Sequence, residues 1–260
     1  MKCIAIIPAR MNSSRFPGKP MAKIHGIPMI GHCYFRTNMC KDLLATFVAT
    51  CDQEIFDYVV SIGGRAVMTS KNHERASDRA AEAMLIIEKE MQTRIDIVVM
   101  VQGDEPMLTP EMISEALFPL KQNKNIKVVN LMADIETIKE FEDANEVKVV
   151  VDKNSDAIYF SREPIPSRKK GFDKVKMLKQ VCIIPFERDY LLEFNNTPET
   201  ELERFESIDM MRIVENAGKV RMVKTNTFSL SVDTLEDLSN VEKKMHGDKL
   251  MEKYISNERK

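Results

Sequence analysis

The chain has 260 residues, and its 38 Lys and Arg nearly balance its 40 Asp and Glu, which leaves a formal net charge of −2. This balance argues against a global electrostatic grip on nucleic acid but leaves room for a local anion site. The longest apolar runs fall far short of the ~20 residues of a membrane helix, so no membrane partner is expected. Five scattered cysteines without CxxC spacing are typical of reduced thiols in a cytoplasmic protein.

Strand and helix patterns alternate through the first half of the chain. Short apolar runs predict buried strands, and apolar residues at helical spacing predict the helices between them. In chain order, strands are predicted at Cys3–Ile7, Ala45–Thr50, Ala66–Thr69 and Ile95–Val101, and helices at Met29–Met39, Gln53–Ile62, Ser77–Met91 and Thr109–Leu120. This alternation predicts the α/β class, with a mainly parallel sheet and helices on both faces. Ligands of such sheets bind beyond the carboxyl ends of the strands.

The second half has a different pattern. Short strands are predicted at Val128–Ala133, Val147–Val151, Ala157–Ser161 and Val181–Phe186, followed by a helix at Phe205–Ala217 and strands at Lys219–Lys224 and Ser229–Val232. We therefore expect a core of residues 1–127 plus 205–246, an inserted mixed-sheet region at 128–204, and a loose polar tail at 247–260.

A loop with three cations follows the first predicted strand. Arg10, Arg15 and Lys19 lie within ten residues of one another, together with Ser13 and Ser14. Cationic heads and backbone N–H groups in such a loop make a cradle for a polyphosphate. The Walker pattern is absent, and a solvated loop with incidental charges is the alternative.

Two further segments place carboxylates after predicted strands. Asp104 lies in the turn Gln102–Pro106, and Asp233 lies between a strand and a helix. Oxygen ligands of this kind suit Mg²⁺, which usually takes one or two protein carboxylates plus phosphates. The alternatives are an ordinary turn for Asp104 and a helix N-cap for Asp233.

The segment His73–Arg79 precedes a predicted helix. Ser77 or Asp78 is placed to cap that helix, whose amino terminus favours anions. His73 and Arg79 are then within reach of a nucleobase or phosphate. A capped helix with exposed charges is the alternative.

Taken together, these segments resemble the 3-deoxy-manno-octulosonate (Kdo) cytidylyltransferase, or CMP-Kdo synthetase, family. The similar segments, in order over about residues 3–245, are Ile6–Arg10, Ser14–Pro20, Val48–Thr50, Val67–Ser70, Gln102–Pro106, Tyr159–Pro166 and Val232–Leu238. The resemblance implies a Rossmann-like, GT-A-like nucleotidyltransferase core with an inserted dimerisation and sugar-binding part. It also implies CMP transfer from CTP to a sugar acid with release of pyrophosphate, in a homodimer that serves lipopolysaccharide biosynthesis.

The same resemblance implies roles for individual residues. The catalytic set is Arg10, Lys19 and Asp104, and the Mg²⁺ ligands are Asp104 and Asp233. The CTP-binding set is Ala9, Arg10, Ser13, Ser14, Arg15, Lys19, His73, Ser77, Arg79 and Gln102. The sugar-binding set is Gln102, Arg162, Gln180 and Asp209.

The sugar-binding half departs from the family pattern. Gln180, Ile184, Asp209 and Met210 stand where the family has His, Tyr, Glu and Gln. A site that hydrogen-bonds a substrate hydroxyl discriminates strongly, so losing several such groups indicates an altered acceptor. An amino-Kdo, a nonulosonate or a phosphonate remain open beside Kdo. Two other classes also remain open: a GT-A glycosyltransferase, which usually carries Asp-x-Asp where this chain has Gln102-Gly103-Asp104, and a non-catalytic binding protein.

Overall fold

The computed structural model describes residues 1–12, 16–171, 175–227 and 229–258. Two compact units divide the chain: residues 1–114 with 228–260 form unit 1, and residues 115–227 form unit 2. Within the described ranges, no helix combines the length and the apolar character needed to cross a membrane.

The strands and helices follow one another in the order expected of an α/β chain. The strands are β1 (Cys3–Ala9), β2 (Lys23–Ile24), β3 (Ile27–Pro28), β4 (Ala45–Thr50), β5 (Ala66–Met68), β6 (Ile97–Val101), β7 (Val129–Asp134), β8 (Lys148–Val151), β9 (Ala157–Ser161), β10 (Leu178–Val181), β11 (Ile183–Glu187) and β12 (Arg221–Lys224). The helices are α1 (Met29–Asn38), α2 (Gln53–Ser61), α3 (Ala76–Met91), α4 (Pro110–Gln122), α5 (Ile138–Glu142), α6 (Arg188–Asn196), α7 (Glu201–Glu206), α8 (Met210–Glu215), α9 (Leu235–Lys244) and α10 (Lys249–Glu258).

Unit 1 contains a parallel sheet in which β6, β1, β4 and β5 are successive neighbours. All residues of β1 and β6 are buried, which explains their unbroken apolar sequences. The strand order reverses between β1 and β6, because the chain runs from β1 towards β5 and then returns to the other side of β1. Their carboxyl-end loops therefore flank the kind of crevice in which open α/β sheets bind ligands. The predicted α/β class with a parallel-rich sheet is confirmed.

Unit 2 contains a mixed sheet in the order β12-β7-β10-β8-β9. The β12–β7 pair is parallel, whereas β10 pairs antiparallel with both β7 and β8. Because β12 pairs with β7, residues 205–224 lie in unit 2 and not in the core to which the sequence assigned them. The unit also begins earlier than expected, at residue 115 and not at 128.

Two helices differ from their predicted form. The helix expected at Phe205–Ala217 is divided into α7 and α8, because Ser207 adopts a left-handed conformation with φ of 54°. The loose tail expected at 247–260 forms α10 over most of its described part. Met251 and Tyr254 recur at helical spacing and are 6% and 2% exposed, so this helix covers part of the core.

Candidate active site

Lys19 joins the two carboxylates that were predicted to act together. Its Nζ lies 2.7 Å from Asp104 Oδ2 and 3.2 Å from Asp233 Oδ1. The Lys19 and Asp233 side chains are 13% exposed and the Asp104 side chain is 26% exposed. The structure therefore brings residues from three distant segments of the sequence to one partly buried point.

The backbone around Gly18 fixes the position of Lys19. Gly18 has φ of 74°, in the left-handed region that glycine adopts without a steric penalty, and its N–H donates to the Met11 carbonyl over 2.9 Å. A 3₁₀ turn at Lys19–Met21 follows directly. The Gly18–Met11 hydrogen bond thus joins the two ends of the loop, and Lys19 is the first residue of the helical turn that follows.

Two hydrogen bonds hold the Asp104 turn against the segment that leads to Asp233. The Val232 N–H donates to the Asp104 carbonyl over 2.9 Å, and the Ser229 hydroxyl donates to Glu105 Oε2 over 3.2 Å. The strand predicted at Ser229–Val232 is not formed by its described residues. These bonds to the turn fix the separation of the two carboxylates instead.

The N-cap alternative for Asp233 is wrong. Thr234 caps α9 by accepting the Asp237 N–H, and Asp237 in turn accepts the N–H groups of Asp233 and Thr234. The Asp233 carboxylate instead faces Lys19.

Gly103 has little space for a side chain. A Cβ at this position would lie 3.1 Å from the Pro8 carbonyl oxygen and 3.3 Å from Ile30 Cδ1. The Pro8 oxygen belongs to the backbone of β1 and cannot move cheaply. The absence of a side chain therefore lets the Asp104 turn lie directly against the end of β1.

Lys19 stays protonated at this point. Burial lowers the pKa of its ammonium, but the nearby Asp104 and Asp233 carboxylates outweigh that effect and raise the pKa above its ordinary value. Lys19 is therefore a permanent cation near neutral pH, suited to bind a phosphate and unsuited to act as a base.

A cavity of about 290 Å³ opens beside these three residues. Its lining includes the predicted residues Ala9, Arg10, Lys19, His73, Arg79, Gln102 and Asp104, and also Pro8, Asn12, Pro20, Glu74, Arg75, Ala76 and Gly103. The volume is close to the lower end of small-ligand pockets. Most of the lining comes from the loops after β1 and β6 and from the start of α3, and four of the lining residues are Arg or Lys.

Arg79 and Glu82 of α3 shape the loop that carries His73. The Arg79 guanidinium donates to Thr69 Oγ1 over 2.5 Å and to the His73 carbonyl over 3.3 Å, while Glu82 accepts the Ser70 N–H and contacts His73 Nε2. Arg79 is only 2% exposed. It therefore holds the loop in place as well as lining the cavity.

The predicted capping of α3 is wrong. The helix begins at Ala76 with Arg75 at the N-cap position and no side-chain cap, so Ser77 and Asp78 lie in the first turn. Ser77 is fully buried and is not part of the cavity lining.

Asp52 is a supporting residue that the sequence analysis missed. Its carboxylate accepts the Met11 N–H over 2.8 Å and so fixes the start of the Lys19 loop. Asp52 lies two residues beyond the Ala45–Thr50 strand, so polar residues just after each parallel strand were the available signal. Ser13, Ser14 and Arg15, predicted to bind CTP, lie outside the described residues.

The predicted sugar-binding residues of unit 2 are held within that unit. The guanidinium of Arg162 donates to the backbone carbonyls of Glu206, Ala144 and Ser207. The Gln180 amide donates to Asn130 Oδ1 over 2.5 Å. Asp209 directly precedes α8, whose first residue, Met210, is 1% exposed. Arg162 therefore has a structural role in unit 2.

Among the residues that the structure describes, no group of three or more His, Cys, Asp and Glu side chains is arranged to hold a metal ion. Asp104 and Asp233 form a pair of carboxylates that already converge on one cation, the Lys19 ammonium. Such a pair matches the one or two protein carboxylates with which Mg²⁺ usually accompanies a bound phosphate.

A parallel sheet with a cationic loop after one strand and a carboxylate after its neighbour is the arrangement of a nucleotide-binding α/β protein. The family model described as Cytidylyltransferase matches residues 4–224. The 3-deoxy-manno-octulosonate cytidylyltransferase of Geobacter metallireducens is 40% identical, over 94% of this chain and 98% of its own. The enzyme of the same name from Fusobacterium nucleatum is 39% identical, over 93% and 96%.

The solved structures agree with the sequence relatives. CMP:2-keto-3-deoxy-manno-octonic acid synthetase complexed with CTP aligns with a TM-score of 0.86 at 34% identity, over 95% of this chain and 100% of that one. A cytidylyltransferase from Leptospira borgpetersenii aligns with a TM-score of 0.64 at 17% identity, over 100% of this chain and 96% of that one, and this likeness concerns the fold alone. The chain belongs to the cytidylyltransferase family, and the predicted resemblance and Rossmann-like nucleotidyltransferase fold are confirmed.

Proposed function

We propose that this protein transfers CMP from CTP to a 2-keto-3-deoxy sugar acid, Kdo or a close relative, and releases pyrophosphate. The observation that carries the proposal is the convergence of Lys19, Asp104 and Asp233 beside a cavity lined by Arg10 and Arg79. The names of the relatives that are about 40% identical, and the CTP bound to the similar solved structure, support the same activity.

The chemistry needs positioning and charge neutralisation more than a covalent intermediate. The acceptor hydroxyl oxygen forms a bond to the α-phosphorus while the bond to the pyrophosphate oxygen breaks, and the hydroxyl proton is released to solvent. Arg10 and Lys19 bind the triphosphate and stabilise the negative charge that develops on the leaving pyrophosphate. The Gly103 turn keeps the Asp104 carboxylate against the same region.

We also propose that Asp104 and Asp233 hold Mg²⁺ when CTP is bound. Two carboxylate oxygens already share one cationic partner, and carboxylate oxygen is a ligand that Mg²⁺ prefers. The ion would neutralise phosphate charge and orient the triphosphate. Lys19 would then compete with the ion for the carboxylate oxygens, and the phosphates of CTP would offer its ammonium further acceptors.

The test of this assignment replaces either carboxylate by its amide. Asp104→Asn and Asp233→Asn should abolish pyrophosphate release with an unchanged circular dichroism spectrum, and Asp57→Asn, at an exposed carboxylate of α2, is the matched control. Wild-type turnover in either of the first two variants would contradict the proposed Mg²⁺ ligands.

The acceptor is the least determined part of the proposed function. The Gln180 amide is hydrogen-bonded to the Asn130 side chain, and the Met210 side chain is apolar and buried. Both differ from the polar sugar contacts implied by the resemblance, which favours an altered acid such as an amino-Kdo, a nonulosonate or a phosphonate. A glycosyltransferase is not supported, because the end of β6 carries Gln102-Gly103-Asp104 where that class usually has Asp-x-Asp.

The deciding experiment measures pyrophosphate release with CTP, Mg²⁺ and a panel of these acids. Release with Kdo supports the first proposal, and release with another acid alone supports the altered acceptor. CTP binding by calorimetry without release from any acid would move the acceptor outside the panel. Absence of CTP binding would favour a non-catalytic protein.

We further propose that the protein acts as a cytoplasmic homodimer, as the family resemblance implies. Ile158 on the edge strand β9 is 53% exposed, which suits a surface covered by a second copy. Light scattering coupled to gel filtration should give twice the mass of the chain. A monomer at micromolar concentration would refute the dimer.

A further inference from the structure

Arg36 of α1 lies almost completely buried, at 1% exposure, outside the cavity lining. Its Nε donates to the Tyr254 hydroxyl over 3.1 Å, and its Nη2 forms an ion pair with Asp248 Oδ2 over 2.9 Å. Asp248 directly precedes α10 and Tyr254 lies within it. Arg36 therefore holds the last helix of the chain against α1.

The same guanidinium also reaches the segment that carries Asp104. Arg36 Nη1 donates to the Leu108 carbonyl over 3.3 Å and to the Met107 carbonyl over 3.5 Å. Leu108 is fully buried and its N–H donates to Glu105, so these contacts secure the far end of the turn that begins at Gln102. One side chain thus connects α10 to the turn of a proposed Mg²⁺ ligand.

A consistent direction of hydrogen bonds runs through this cluster. His32 Nε2 faces the Ile24 carbonyl over 2.9 Å and must donate to it, because a carbonyl only accepts. His32 Nδ1 then accepts from the Tyr254 hydroxyl over 2.7 Å, which leaves the Tyr254 oxygen to accept from Arg36. Burial lowers the pKa of His32 to about 4, which keeps the ring neutral in this arrangement.

We propose that Arg36 is a positioning residue for the transfer reaction, and that through Arg36 the Tyr254 and Asp248 groups at the C-terminal helix fix the Asp104 turn. The inference rests on the proposed function for its effect on Mg²⁺ and CTP. The mechanical part, that α10 controls the order of residues 102–108, stands on the contacts alone.

The test uses Tyr254→Phe in the full chain, with Met251→Ala as the matched control. The first variant removes one hydroxyl and keeps the ring, which stacks on Phe35 with centroids 5.1 Å apart. The second removes apolar contacts from the same helix and leaves the polar cluster intact. Both should lower the melting temperature, so stability alone does not distinguish them.

Hydrogen exchange separates the two variants. In Tyr254→Phe we expect amide exchange in residues 102–108 to rise about tenfold, since the loss of a hydrogen bond to a charged group shifts a local opening equilibrium by that order. Met251→Ala should change this segment much less, because it keeps the Tyr254 hydroxyl and the Arg36 hydrogen bonds to Met107 and Leu108. Equal exchange in both variants would overturn the mechanical part, and Asp248→Asn gives a second measurement of the same connection if Tyr254→Phe is not soluble.

Mg²⁺ dependence tests the positioning role separately. The Mg²⁺ concentration for half-maximal CTP binding, measured by calorimetry, should rise about tenfold in Tyr254→Phe and much less in Met251→Ala. Increased exchange with an unchanged Mg²⁺ requirement would show that the cluster only stabilises the fold, and would overturn the positioning role. A wild-type protein that binds no CTP would instead refute the proposed function, and the exchange result would still decide the mechanical part.

Discussion

Replacing Lys19 by Met tests the central feature of the site, because it removes the charge and keeps most of the side-chain length. At 2.7 Å from Asp104 the ammonium interacts with that carboxylate by roughly 6 kcal/mol at an effective dielectric constant near 20. The partial exposure of both groups and the desolvation of the lysine offset part of this energy. The mutation also takes one cation from the proposed triphosphate site.

We expect the loss of one preorganised cation to cost about 3 kcal/mol of transition-state stabilisation, which corresponds to a fall in kcat of about 10²-fold. The assay is pyrophosphate release at saturating CTP. Lys23→Met is the matched control, because Lys23 is an exposed lysine on β2. A Lys19→Met rate within threefold of wild type would refute the assignment of Lys19 to the phosphates.

The same variant makes a second prediction that does not need turnover. Without Lys19, the Asp104 and Asp233 carboxylates face each other with no ammonium between them, so Mg²⁺ alone should bind more tightly than to the wild type. Millimolar MgCl₂ should therefore raise the melting temperature of Lys19→Met more than that of the wild type, because a ligand of the folded state stabilises it by mass action. Equal shifts in the two proteins would contradict this competition.

Three other predictions follow from particular contacts. Gly103→Ala places a Cβ 3.1 Å from the Pro8 backbone oxygen, so the Asp104 turn must shift, and both kcat, at least tenfold, and the melting temperature should fall. Glu203→Gln breaks the ion pair with Arg212, in which both side chains are 2% exposed, and urea denaturation should show a free energy of unfolding lower by about 3–5 kcal/mol, whereas the exposed Glu201→Gln should show little change. Burial lowers the pKa of His32 to about 4, so as the pH falls the unfolded state takes up this proton before the folded state does. The free energy of unfolding should therefore decrease as the pH is lowered from about 6.5 to 4, by roughly 1.4 kcal/mol per pH unit. His32→Gln should lose this part of the pH dependence.

The apolar periodicity and the turn residues of the sequence were sufficient to predict the parallel sheet and to place the Lys19 and Asp104 loops at the same edge of it. Lys19 and Asp104 follow strands that became neighbours, and the carboxyl ends of parallel strands lie on the same edge. The side-chain roles were harder to predict. Asp233 can pair with Lys19 because Thr234, and not Asp233, caps α9. The residue spacing does not show which of these two neighbours becomes the cap.

Two further errors concern contacts that are distant in sequence. The residues 205–224 belong to unit 2 because β12 pairs with β7, and no local pattern reports which sheet a short strand joins. Residues 247–260 were expected to form a loose polar tail because the segment is rich in charged and polar residues. Among the described side chains of this segment, Met251 and Tyr254 are buried, and two apolar residues at helical spacing are a weak signal without knowledge of the surface that they contact.

The proposed site joins residues that are far apart in the chain: Lys19 contacts Asp233 across 214 residues, and the Val232 N–H donates to the Asp104 carbonyl. This separation determines at what stage of protein synthesis the site can form. During synthesis the first cation and the first carboxylate leave the ribosome long before the second carboxylate does. The growing chain therefore lacks one of the two proposed Mg²⁺ carboxylates until the segment around Asp233 has been synthesised and has formed its hydrogen bond to the Asp104 turn. The three side chains of the proposed site can therefore meet only after residue 233 has been made, however early the first two are in place.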